Sequence, residues 1–116
     1  MEGKQLRLVF DENDDVIKLM KEEMRKHELE SCMVIEGEGR INQGTLEYFA
    51  QGKLKSKQLR NAKLLSAAGK FHKEGTEYLG ALQVIVNEEL GKQAQGKLTE
   101  ARAGKHCTLT LKFYEF

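Results

Sequence analysis

The chain has 116 residues, 40% apolar and 32% charged, with a net charge of +1. That balance excludes a disordered chain and fits one soluble globular domain over residues 1–116. No apolar run approaches the roughly 18 residues of a membrane span, the apolar stretch near Met1 is too short for a secretory signal, and the near-zero net charge gives no global pull toward nucleic acid or anionic membrane. The expectation is a cytoplasmic protein with no membrane partner.

In chain order, Leu6 to Phe10 alternates, with Leu6, Leu8 and Phe10 on one face, and predicts a strand. Asp11 to Asp15 is an acidic turn that supplies helix caps and first-turn negative charge. Residues 14–29 predict an amphipathic helix, because Val16, Ile17, Leu19, Met20 and Met24 recur at three- and four-residue spacing while Lys18, Lys21, Glu22 and Arg25 face outward. After Glu30 the period becomes two. Short strands are predicted at Ser31–Ile35 (ending at Gly37 and Gly39), Gly44–Phe49, Lys53–Leu59, Lys63–Phe71, Tyr78–Val86, Gln93–Arg102 and Lys105–Tyr114. The breaks fall at Gly52, Glu74-Gly75, Gly91 and Gly104. One early helix followed by many strands predicts an α+β fold with a largely antiparallel sheet.

Charge is unevenly spread. Between Asp11 and Glu38 there are ten acids and four bases, whereas Tyr48 to Lys73 carries seven bases and no acid. Lys53, Lys55 and Lys57 lie at period two, so they share one strand face. Such a row suits phosphate contacts, but lysines on an edge strand also block unwanted sheet pairing. With no interleaved aromatic and no recognition helix, edge protection is the favoured reading.

Little in the chain points to catalysis. Ser66 lies in an apolar strand without a glycine elbow, and Cys32 has no adjacent base, so both read as packed core residues. Gly37-x-Gly39 reads as a turn and not a nucleotide loop, with Glu36 and Glu38 as exposed turn acids. Cys32 and Cys107 stand far apart in apolar stretches without a metal or disulfide spacing, and are expected to be buried and reduced.

Several segments, taken in order, resemble the plant-and-prokaryote-conserved (PPC) domain family. Leu6-Arg7-Leu8 resembles its opening strand and the helix from Asp14 to Leu29 its single long helix. Gly37-Glu38-Gly39-Arg40-Ile41, Gly44-Thr45-Leu46-Glu47-Tyr48-Phe49 and Leu64-Leu65-Ser66-Ala67-Ala68-Gly69 resemble its turn and strand motifs, and Gly91 and Gly96-Lys97-Leu98 follow at matching distance. The resemblance implies a PPC-like antiparallel sheet with one long helix packed on it, assembled as a homotrimer. In many prokaryotic members three histidines on the strand–turn–strand corresponding to residues 78–98 build a metal site. Here the matching positions hold Ala81, Gln83 and Lys97, so no metal and no other cofactor is expected. In plant members the domain is joined to AT-hooks, which bind DNA through an Arg-Gly-Arg-Pro-like core, and this chain has no proline and no such core.

The resulting expectation is a non-catalytic binding or regulatory module, with a small anionic ligand in an inter-subunit pocket near Arg40, Gln83 and Lys97, or with Lys97 paired to an acid such as Glu88. The alternative is DNA association through the basic face from Lys53 to Lys73, carried by Lys53, Lys55, Lys57, Arg60 and Lys63. A metal-independent enzyme using the same pocket is the third reading.

Overall fold

The computed structural model describes residues 2–115. Its elements are β1 (Glu2–Val9), α1 (Val16–Lys26), β2 (Ser31–Ala50), β3 (Lys53–Glu74), β4 (Glu77–Gly80), β5 (Gln83–Asn87), β6 (Gln93–Ala103) and β7 (Thr108–Glu115). The strands run β1-β7-β2-β6-β5-β3-β4, and β2 also pairs with β3. Every pairing is antiparallel. With one helix beside this sheet, the architecture is the α+β arrangement expected from the sequence.

The helix forms where the apolar period demands it. Val16, Met20 and Met24 recur every four residues and all three are buried. Asp15 caps the start by accepting from the Lys18 backbone N–H at 3.1 Å. Arg25 and Lys26 occupy the last turn, where they complement the helix dipole. The Tyr78 hydroxyl donates to the Leu29 carbonyl at 2.6 Å and lies 3.1 Å from that of Met24, which fastens the helix end to β4. The helix lies against β6, and its buried residues Val16, Met20 and Met24 belong to the same core as Leu8, Phe10, Val34, Leu109 and Leu111.

The centre of the fold is one long hairpin. Gln51 and Gly52 both have positive φ (54° and 74°), the conformation of the two-residue turns that match strand twist. From that turn β2 and β3 pair back to Gly39 and Leu64, part over the next four residues of each strand, and pair again from Val34 and Gly69 to Ser31 and His72. A straight 20-residue strand would span roughly 66 Å, yet the whole molecule extends only 44 Å along its longest axis, so the hairpin bends. Register shifts at Val34/Glu36, Ile41/Gln43, Thr45/Leu46 and Leu64/Ser66 mark the bends. Its base joins β7 and β4, while its middle joins β6 and β5, and β2–β6–β5–β3 close back on one another around Ile41, Leu46, Leu59, Leu64, Val84 and Leu98.

Several expected breaks are corrected by this hairpin. The predicted strands 31–35 and 44–49 are one strand, and so are 53–59 and 63–71. Gly39 does not end a strand: its φ is +98°, and a Cβ there would collide with the His106 carbonyl, so glycine lets β2 continue past the turn between β6 and β7. Asn61, with φ 45°, absorbs the matching kink in β3. Glu36 and Glu38 therefore sit on a strand and not in a turn, and Glu38 accepts from Arg7 at 3.0 Å. Conversely, the single strand expected over 78–86 is split at Ala81 and Leu82 into β4 and β5. Cys32 and Cys107 are buried and free, and burial pushes each thiol up to about 11.

Candidate functional site

The outer face of β3, β5, β6 and β2 carries a continuous row of side chains. Ala68 stands opposite Gln83, Gln83 opposite Lys97, and Lys97 opposite Glu47. Directly opposed residues of antiparallel strands project to the same side. That side is solvent, because the alternating neighbours Ala67, Val84, Leu98 and Leu46 are buried beneath. A second row, Ser66–Ile85–Gln95, lies beside it. Ser66 is thus exposed, which corrects its expected place in the core: the register shift between Leu64 and Ser66 turns it outward.

These rows floor an open groove of about 870 Å³, with Tyr48, Phe49 and Leu54 of the hairpin tip on its wall. Among the described residues, the side chains of Glu47, Gln83, Gln95 and Lys97 make no hydrogen bond or ion pair. The arrangement offers three ammonium donors from Lys97, a donor and an acceptor from each glutamine, and a carboxylate from Glu47. Glu88 does not pair with Lys97, as one reading expected. It accepts from Lys57 at 2.6 Å instead, tying the turn after β5 to β3.

A close backbone contact shapes this site. A Cβ on Gly96 would collide with the Glu47 carbonyl, so the glycine before Lys97 lets β6 lie against β2 and seats the lysine beside Glu47.

Arg40 lies outside the groove. It is seven residues from Glu47 along β2, roughly 23 Å for an extended strand, and its guanidinium donates to the Asn61 carbonyl and side-chain oxygens at 3.4 Å. The basic residues divide between two faces. Lys53, Lys55 and Lys57 stand opposite Ala50, Tyr48 and the inward-facing Leu46, and none of the three lines the groove. Arg60 and Lys63 are exposed beyond the kink, on the outer side. β3 has no second neighbour before Lys63, so Lys53 to Ala62 form a bare sheet edge.

The residues at the locus where the resemblance implies metal do not suit one. Ala81 has no ligand atom, Gln83 is a poor zinc ligand, and the Lys97 ammonium repels a cation. Among the described residues no three His, Cys, Asp or Glu side chains gather to hold an ion.

An antiparallel sheet closed around a bent hairpin, carrying one helix and an open groove on the β5–β6 face, defines a class of small α+β domains. Among solved structures, that fold is shared with a PPC protein from Pyrococcus horikoshii (TM-score 0.78, 19% identity, covering all of this chain and 80% of that one). It is shared too with a candidate DNA-binding protein from Ralstonia eutropha (TM-score 0.80, 17% identity, 93% of this chain and 76% of that one). A metal-containing protein from Archaeoglobus fulgidus has the same fold (TM-score 0.76, 18% identity, 97% and 79%). The chain therefore has a PPC-like fold. No protein-family profile matches it, and no curated protein matches it by sequence. Among the described residues no helix is long and apolar enough to cross a membrane.

Proposed function

We propose that this chain is a non-catalytic PPC-like binding module, cytoplasmic and homotrimeric, that takes a small anionic metabolite in the groove over Gln83 and Lys97. One observation carries this reading: among the described residues the Lys97 ammonium has no partner, and it stands on the groove floor opposite Gln83. A carboxylate or phosphate would receive the ammonium's charge and an amide N–H together. Glu47, on the other side of Lys97, selects against a ligand that places a second anionic group there. Arg40 joins such a site only from a neighbouring subunit of the trimer. The groove has no nucleophile–base pair: Ser66 is exposed in it, but no histidine lines it. Thermal unfolding in the presence of small carboxylates and phosphates tests the proposal. A ligand at about 100 times its Kd stabilises by about 2.7 kcal/mol, and Lys97→Ala should abolish that shift. A shift that survives Lys97→Ala sinks the site.

DNA association is the second reading. It is favoured by the exposed cations at Lys53, Lys55, Arg60 and Lys63, none of which pairs with a carboxylate among the described residues, and by the description of the Ralstonia protein. Salt-dependent binding to duplex DNA at a Kd below the nonspecific range of about 10⁻⁴ to 10⁻⁶ M would place this reading above the first.

A further inference from the structure

The kink of the long hairpin gathers cations that are remote in sequence. Arg40 stands opposite Lys63 across β2 and β3, while Arg60, Gln43 and Arg102 form a row across β3, β2 and β6. The kink decides which way they point. Ile41 with Ala62 and Gly44 with Leu59 turn inward, so the residues between and beside them turn out together. Arg40, Arg60, Lys63 and Arg102 are all exposed. Neighbouring strands are about 4.8 Å apart, which puts the Cα atoms of Arg60 and Arg102 roughly 10 Å from each other and those of Arg40 and Lys63 roughly 5 Å.

Two of the nearby acids are paired with cations outside the patch: Glu38 accepts from Arg7 and Glu88 from Lys57. Asp15, whose backbone bridges that of Arg102 and whose carboxylate caps the helix at the Lys18 N–H, and Glu100, opposite Thr45, border the patch on the Arg102 side and keep their charge. Arg40 and Arg102 touch only neutral oxygens of Asn61 and Asn13, each at 3.4 Å. Arg60 and Lys63 make no side-chain bond among the described residues. Three guanidinium forks and one ammonium on a sheet surface are the donors that phosphate oxygens accept best.

We propose that this patch, Arg40, Arg60, Lys63 and Arg102, docks the phosphate backbone of duplex DNA. The inference rests on the second reading above, but it assigns that reading a different surface from the Lys53–Lys57 row. No aromatic side chain lies in the patch, so it provides no stacking platform for single-stranded bases. Nor does it project a helix into a groove, so it reads charge and not sequence.

The test is fluorescence anisotropy with a short labelled duplex, titrated between about 50 and 200 mM salt. Four neutralised phosphates predict a slope of log K against log salt of about −3.6, and Arg60→Gln with Arg102→Gln should reduce its magnitude by about two. The single variant Lys63→Gln should reduce it by about one, and a matched melting curve shows that each variant is folded. Lys53→Gln with Lys55→Gln should leave the slope unchanged. Binding lost in that last variant and kept in the arginine variant would overturn the patch while leaving DNA association standing. No binding at the lowest salt would overturn both. A single strand bound more tightly than the duplex would overturn backbone docking.

Discussion

Gln83 and Lys97 stand directly opposite one another in the β5–β6 register, and both side chains leave the sheet on its solvent side. Neither has an intramolecular partner among the described residues. Nothing in the fold therefore depends on their polar groups. Lys97→Ala and Gln83→Ala should each change stability by no more than about 0.5 kcal/mol, measured by denaturant unfolding, while removing ligand-dependent stabilisation. A loss of several kcal/mol on Lys97→Ala would make the residue structural and remove the reason to see a binding site in its exposure.

Gly96 should be far less tolerant than the lysine beside it. Gly96→Ala drives a methyl into the Glu47 carbonyl and against Leu46, which is buried. Forcing β6 away from β2 should cost about 1–3 kcal/mol and shift the unfolding midpoint accordingly. A neutral substitution would mean that the two strands are not in the close contact described.

The hairpin tip should be an assembly surface. Phe49 and Leu54 are cross-strand partners, 78% and 58% exposed, at the end of the molecule where neither β2 nor β3 has a second neighbour. Exposed apolar pairs beside a bare edge invite a partner chain. Light scattering should give three chain masses for the natural protein and a lower mass for Phe49→Ser with Leu54→Ser, with the helix and sheet signals in circular dichroism unchanged. An unaltered mass in the double variant would exclude the tip from the interface.

The thiols give a pH signature. Burial raises both Cys32 and Cys107 from about 9 to about 11. A raised thiol favours the folded state while the unfolded thiol is still protonated. Its contribution is full below about pH 9 and is lost as pH rises toward 11. Stability should therefore fall across that window, and the fall should shrink in Cys32→Ala with Cys107→Ala when compared with that variant's own neutral-pH value. In the native protein at pH 8, thiol reagents should react only at the rate of global opening.

Much of this fold was legible in the sequence because its strongest signals are local. The four-residue apolar spacing of Val16, Met20 and Met24 marked the helix, and Gly52, Gly75, Gly91 and Gly104 sit at true ends of strands. Gly37 and Gly39 misled, because a glycine that admits a close backbone neighbour looks the same in sequence as one that ends a strand. Ser66 was misplaced for a related reason: a register shift reverses which residues face the core, and alternation counted from Leu64 assigns the wrong side. Gln83 and Lys97 could be paired only through the family resemblance. The clustering of Arg40 with Lys63, and of Arg60 with Arg102, left no local trace, since it depends on the pairing of three strands up to 62 residues apart.

The register at residues 83 and 97 also predicts how a metal site could be installed. Directly opposed residues on antiparallel strands have Cβ atoms about 4.5–5.5 Å apart, close enough for two imidazoles to reach one ion. Glu47 is opposed to residue 97 in turn, so its carboxylate is placed to supply a third ligand, leaving a fourth position open to water as in three-ligand zinc sites. The natural protein has an ammonium in that place, and added zinc should leave its melting temperature unchanged. Gln83→His with Lys97→His should bind zinc and gain a zinc-dependent rise in melting temperature that a chelator reverses. Adding Glu47→Gln should weaken that rise, which separates a three-ligand site from adventitious binding by two exposed histidines. A double variant that ignores zinc would show that residues 83 and 97 do not converge, and the ligand groove proposed over them would lose its geometric basis.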